Sequence, residues 1–406
     1  MTISAIETIR TEAHANLVWL RVETDQGLTG LGETFFAPEA VETYLHETVA
    51  PNLLGRDESA IAGINRDLVR QPTGYASSGV EMRAASAVDI ALWDLLGRKT
   101  GQPLYALLGG KSRDTIPVYN TCAGPHYVKR KRGTDVDAWF GTDKKPHPLD
   151  DLRAFEEEPE RLARELVAEG IKGMKIWPFD RAAFANRGVG IDARQIEEGL
   201  RPFKRIRDAV GGDIELMVEL HALWDVASAR RIIRAVEAVD PLWIEDPLRM
   251  DDIAALGVLA RDTRIPILAC ETLAPASSFL PLIASGHAGI VSCDPGWCGG
   301  LSQARAIADM AAAAQLPFCV HDCTGPVGYV AGTHLSISAP TAMLQETVRA
   351  YLRGWYADTV TALPRIDKGV LAPLEGPGLG LDLAPAFLAD KETKRRRTAL
   401  QSGGTA

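Results

Sequence analysis

Residues 214–247 read IELMVELHALWDVASARRIIRAVEAVDPLWIEDP. Two apolar runs carry a glutamate near their ends, Glu219 and Glu245, and flank a stretch with apolar residues at helical spacing. A short run apolar throughout, followed by an amphipathic helix, is one unit of a parallel sheet covered by helices. The unit recurs in both directions. The runs IPVY, GMKIW, IELMVEL, PLWIED, PILACE, GIVSCD, PFCVHD and AMLQE alternate with helical stretches such as PERLARELVAEG and LSQARAIADMAAAAQ. Eight runs are what a closed (β/α)8 barrel requires. The spacing therefore predicts an α/β fold with a TIM barrel over residues 115–346. Polar residues at the ends of successive runs keep the same phase. Glu219, Glu245, Glu271, Asp294, His321 and Glu346 follow one another at 26, 26, 23, 27 and 25 residues, one strand–helix unit each. Active sites of such barrels are built at these C-terminal strand ends.

The 406 residues exceed the roughly 250–300 at which one core stops growing, so further structure must flank the barrel. Residues 1–114 read as strands followed by helices, a small α+β capping domain. Alternating runs meet at the turn signal Asp25-Gln26-Gly27, and helical periodicity then runs through RAASAVDIALWDLLGRKTG. Residues 347–406 are turn-rich and are expected to return to this domain, with a polar, solvated tail from about 391 containing Lys394–Arg397. Two segments lengthen strand-end loops, 126–152 and 178–195, and are placed to cover the barrel mouth.

A net charge of -9 disfavours a nucleic-acid-binding surface. No apolar stretch is long enough for a membrane span, and the N-terminus lacks the pattern of a signal peptide. Six scattered cysteines with no C-x-x-C pair suit reduced thiols and a cytoplasmic setting.

Glu219, Glu245 and Glu271 end three consecutive runs. Three hard oxygen donors converging at a barrel mouth suit Mg2+, with Mn2+ as a substitute. His221 lies two residues beyond Glu219, and alternation along a strand would turn both into one cavity as ligand and acid–base group. Asp294 and His321 end neighbouring strands, where the carboxylate can orient the imidazole; Asp294 also suits the turn it opens. Lys175 ends the second run and can face a developing oxyanion, with Trp177 on the same face. Glu346 closes the ring. Phe35, Phe36 and Tyr75 in capping-domain loops, with Trp177, are candidates for substrate contact.

The motifs TDQGLTGLGE (24–33) and AVDIALWDLLGRKTGQPLYALLGG (87–110), followed by the ordered strand ends, resemble the enolase superfamily, specifically its mandelate racemase subgroup. In that superfamily a Lys or His base works beside Mg2+ that stabilises an enediolate. The resemblance implies that Glu219, Glu245 and Glu271 are metal ligands and that Asp294 and His321 form the subgroup's His–Asp dyad. It implies that Glu346 hydrogen-bonds the substrate carboxylate or enediolate. The racemase pattern Lys-x-Lys on the second strand reads Lys175-Ile176-Trp177 here, which removes the second base. A histidine two residues after the third-strand ligand resembles instead the subgroup's acid-sugar dehydratases, the galactonate dehydratases among them, and implies that His221 is the acid that expels a hydroxyl.

The expected activity is Mg2+-dependent dehydration of an aldonate or aldarate to a 2-keto-3-deoxy acid, with a small carboxylate as substrate and homo-oligomers implied by family likeness. The alternative is a cycloisomerase acting on an anhydro or lactone sugar acid, for which the aromatic residues Trp177, Trp139, Phe140 and Phe179 offer a less hydrated pocket. A non-catalytic barrel that binds sugar acids is disfavoured by the number of aligned acid, base and ligand groups.

Overall fold

The computed structural model describes residues 1–70, 78–127 and 147–400. Its first three strands, β1 (Ile3–Arg10), β2 (Leu17–Thr24) and β3 (Thr29–Phe35), form an antiparallel meander. Gly30 and Gly32 share one face of β3. A side chain at either would meet the backbone carbonyl of Ala91 or Ala87. This bare strip lets the helix Val80–Thr100 lie directly on the strand.

The eight apolar runs are the strands β4 (Ile116–Thr121), β5 (Gly173–Ile176), β6 (Glu215–Glu219), β7 (Trp243–Glu245), β8 (Ile267–Ala269), β9 (Ile290–Cys293), β10 (Phe318–Val320) and β11 (Ala342–Thr347). They pair in sequence order, all parallel, and β11 pairs with β4 to close the ring. Tyr119, Met217, Trp243, Leu268, Ile290, Cys319 and Leu344 form a separate buried cluster, one residue from each strand except β5. This packed interior is the floor beneath the strand ends. The six cysteines are all free thiols. Among the described residues, no helix is long and apolar enough to cross a membrane.

The cap is fastened to the barrel by carboxylates of its two motifs. Glu33 Oε1 accepts from the Gly328 amide at 2.8 Å, in the first turn of the helix Pro326–Ser338. Thr34 Oγ1 donates to the Gly296 carbonyl at 2.7 Å. Asp89 accepts from the Ser302 amide and hydroxyl, at 2.9 and 2.6 Å, at the start of the helix Leu301–Ala313. A carboxylate at a helix N-terminus satisfies amides that have no partner within the helix. Asp94 holds the Leu31 and Leu379 amides, both at 2.8 Å, and so joins β3 to the C-terminal return.

That return adds β12 (Ile366–Asp367) and β13 (Val370–Leu371), a hairpin whose second strand lies antiparallel on β4. The segment from 391 departs from the expected solvated tail. Residues Lys394–Ala399 form β14, which pairs antiparallel with β1 and completes the cap sheet in the order β14-β1-β2-β3. Its four basic residues each meet a carboxylate: Lys394 with Glu12, Arg395 with Glu7, Arg396 with Glu47 and Arg397 with Glu23. An edge strand with both faces near solvent shows no apolar alternation, which is why its sequence reads as a tail. Arg349 is likewise structural, paired with Asp151, Glu165 and Glu169.

Two stability measurements follow from these contacts. Truncation after Asp390 removes β14 and bares the edge of β1. It should lower unfolding free energy in urea by about 2 kcal/mol or more, from lost ladder bonds and edge burial; a solvated tail would leave stability unchanged. His334, fully buried, accepts from the Tyr105 amide at Nδ1 and faces the Leu379 carbonyl through Nε2 at 3.2 Å. Burial lowers its pKa to about 4, against an ordinary 6.5. A depressed histidine contributes stability that is complete above about pH 6.5 and is lost as pH falls toward 4, as the unfolded chain takes up the proton first. The loss amounts to about 3 kcal/mol. Unfolding free energies measured from pH 7 to 4 should fall more steeply for the native chain than for His334→Phe.

Candidate functional site

Glu219 and Glu245 end adjacent strands in register, and Glu271 follows β8 by two residues. One oxygen from each lies within 4.8 Å of the other two. Glu219 and Glu245 are buried and Glu271 is partly exposed, and burial together with the negative charge of Glu219 pushes Glu245 well above the carboxylate range. Asp246, next in sequence, is driven up by burial and by Glu271 and Glu219. Such crowding of hard oxygen donors fits a divalent cation of the Mg2+ type.

Lys175 enters this cluster from β5. Its Nζ lies 2.7 Å from Glu245, 2.8 Å from Glu346 and 3.3 Å from Glu219. Burial alone would strip its proton, but Glu245, Glu346 and Glu219 outweigh burial and hold the pKa well above the ordinary lysine value. Lys175 is thus committed to three carboxylates at once. Glu346 accepts from Lys175 and Thr121 on one oxygen and from the Asp322 amide, at 2.8 Å, on the other. Burial would raise its pKa, yet Lys175 and His321 hold it below the usual range, so it is an ionised acceptor.

His321 follows β10 directly. Its Nδ1 lies 2.8 Å from Asp294 Oδ2 and its Nε2 lies 3.0 Å from Glu271 Oε2. Asp294 also accepts from the Gly296 amide at 2.6 Å, so it both opens the turn and orients the histidine. Burial disfavours a charged imidazole, but Glu271, Glu346 and Asp294 outweigh it and raise the His321 pKa well above the ordinary value.

His221 reaches the cavity by a route that differs from strand alternation. β6 stops at Glu219, and His221 and Ala222 turn through the left-handed region with φ of 47° and 55°. The His221 amide donates to Glu219 Oε1 at 2.6 Å, tying the turn to the cluster. His221 Nδ1 lies 2.7 Å from Asp180 Oδ2, and its Nε2 lies 3.4 Å from the Tyr127 hydroxyl. Burial opposes the charge, but Asp180 and Glu219 raise the pKa to about 9. Asp180 is fully buried and begins the short helix Asp180–Asn186 in the loop after β5.

These groups gather at one cavity of about 480 Å3. Its other walls are aromatic. Trp177 packs between Tyr127, Phe155 and His221, with ring centroids 5.3–5.5 Å away. Phe35 and Phe36 come from the cap and face Trp297. Both extended loops contribute, one through Tyr127 and the other through Asp180 behind His221. Tyr75, Trp139 and Phe140 lie outside the described residues.

The structure thus brings together at one cavity Lys175, Trp177, Glu219, His221, Glu271, His321, Glu346 and Phe35, with Glu245 and Asp294 in direct contact with them. The sequence reading missed Asp180, Tyr127, Arg83 and Trp297 as groups at or beside the cavity. Asp180 three residues after Trp177 is the one with a local signal, an acid just past a strand end. The other three sit at no strand-end phase.

Residues 4–109 match the mandelate racemase/muconate lactonizing enzyme N-terminal domain, and residues 158–387 match the enolase C-terminal domain-like family. An enolase of the mandelate racemase subgroup from Agrobacterium tumefaciens is 42% identical in sequence, with a TM-score of 0.86 over 98% of this chain and 99% of that one. A D-galactonate dehydratase of Verminephrobacter eiseniae is 28% identical over 92% of this chain and 90% of its own length. A D-gluconate dehydratase of Thermoproteus tenax is 28% identical over 90% of this chain and 67% of its own. With both domains matched and the fold shared end to end, the chain belongs to the mandelate racemase/muconate lactonizing enzyme family of the enolase superfamily.

Proposed function

We propose that this protein is a lyase that dehydrates an acid sugar. The observation that carries the reading is a pair of histidines, each with its own aspartate, lining the same cavity as three converging carboxylates and a fixed cation. One histidine serves as base and the other as acid, which is what removal of an α-proton and a β-hydroxyl needs. Relatives named for galactonate and gluconate dehydration support the same class.

His321, its tautomer set by Asp294, takes the proton from the carbon beside the substrate carboxylate. Lys175 offers an ammonium to the negative charge that grows on the carboxylate oxygens, and Glu346 keeps that ammonium in place. His221, held charged by Asp180, gives its proton to the departing hydroxyl. The resulting enol tautomerises to a 2-keto-3-deoxy acid. Glu219, Glu245 and Glu271 would hold Mg2+, which would supply Lewis-acid stabilisation of the same charge; with Glu271 so engaged, His321 would lose the carboxylate that chiefly raises its pKa and would stand neutral as the base. Trp177 and Phe35 wall the substrate off from water. Ring opening or closing by the same two histidines, a cycloisomerisation, is favoured only by the aromatic lining; it yields a product of unchanged mass, whereas dehydration loses water.

Incubating a panel of aldonates and aldarates with the protein and Mg2+ should yield a 2-keto acid detected as its semicarbazone. In deuterated buffer the substrate α-proton should exchange. His321→Asn should reduce that exchange by about 10²–10⁴-fold, the usual worth of a positioned base. Exchange that survives the substitution would remove His321 from the base role. Mg2+ should also raise the melting temperature of the native chain, by an amount equivalent to about 2.7 kcal/mol at a hundred times its Kd. Glu245→Gln should abolish that rise, and an equal rise in the variant would rule out the carboxylate trio as the metal site.

A further inference from the structure

Four cationic or potentially cationic side chains line the cavity: Arg83, Lys175, His221 and His321. Three of them have a carboxylate within 3.0 Å. Arg83 does not; among the described residues no carboxylate pairs with it. It comes from the first turn of the cap helix Val80–Thr100, one face of which lies on β3. Its Nη1 donates to the Phe35 carbonyl at 2.9 Å. Its Cζ stands 4.5 Å from the Trp297 ring centroid and 5.5 Å from that of Phe36. Trp297 in turn lies 5.0 Å from the His321 ring. The guanidinium is thus held by a carbonyl and two aromatic faces, one of which, Trp297, also packs on the histidine assigned as base.

The guanidinium is partly buried in the cavity wall with no carboxylate beside it among the described residues, and burial lowers its pKa to about 10 against the pull of Asp294 and Glu271. A planar fork with one donor engaged, and no other partner for it among the described residues, matches a carboxylate, which accepts two parallel N–H bonds. The substrate carboxylate next to the reacting carbon belongs at Lys175 and the carboxylate trio. An anion at Arg83 must therefore come from the other end of the substrate.

We propose that Arg83 is a specificity-determining residue that receives a second, distal carboxylate, and that the acid sugar is an aldarate and not an aldonate. This rests on the dehydratase reading for the orientation of the substrate, but its test does not need turnover. Calorimetry in Mg2+ would measure Kd for six-carbon aldarates and for the matching aldonates, with the native chain, Arg83→Met and Arg83→Lys. The native chain should prefer an aldarate. Arg83→Met should cut the aldarate-to-aldonate affinity ratio by at least about 30-fold, and Arg83→Lys, which keeps the charge and loses the fork, by less. An unchanged ratio, or a native preference for aldonates, would overturn the proposal. So would equal weakening of both ligand classes in both variants, the mark of an arginine that only braces Phe35 and Trp297. Absence of α-proton exchange alongside an Arg83-dependent aldarate preference would count against the dehydratase chemistry and support the binding assignment.

Discussion

The Lys175 ammonium touches Glu245, Glu346 and Glu219, and this contact is what makes the barrel mouth tenable as a polar site. Four glutamates and Asp246, Asp294 and Asp322 converge on a cavity lined in part by aromatic rings and the cap. Unopposed, carboxylates at such spacing would take up protons. Lys175 keeps Glu346 ionised, and Asp180 and Glu219 hold His221 in its charged form. The pattern leaves local negative charge in excess, which is the electrostatic setting for a divalent cation. A cation held there would reverse the local field of a chain whose net charge is -9.

Placement of these charges depends on the cap as much as on the barrel. Glu33, Asp89 and Asp94 are buried acids that act through backbone amides, two of them at helix starts in the barrel. They fix the end of β3 above the strand ends, which brings Phe35, Phe36 and Arg83 to the mouth. The family motifs around them are therefore docking elements. Gly30 and Gly32 remove side chains where the cap helix must lie, and Glu33 reaches across to the helix that follows His321. The cap residues that line the cavity inherit their positions from this clasp.

Much of the architecture is legible in the sequence because a barrel strand buried on both faces leaves a continuous apolar run, and the strand-end residue must be polar if it faces a solvated mouth. That is why Glu219, Glu245, Glu271, Asp294, His321 and Glu346 stand at a regular phase. β14 is illegible for the opposite reason: an edge strand whose basic residues pair with Glu7, Glu12, Glu23 and Glu47 has no apolar period to read. For His221, alternation names the right cavity on the wrong geometry. It does not apply past Glu219, and a left-handed turn, held by the His221 amide on Glu219, delivers the ring instead.

By itself, then, the sequence determined the barrel, its eight strands, the carboxylate trio and the His321–Asp294 pair, because each follows from a period of side-chain burial along one strand. Only the tertiary structure decided the partner of His221, the commitment of Lys175 to three carboxylates and the placement of Arg83 against Trp297. Those relations join residues 41, 70 and 214 positions apart in the chain, and nothing in a local period records which distant side chains meet.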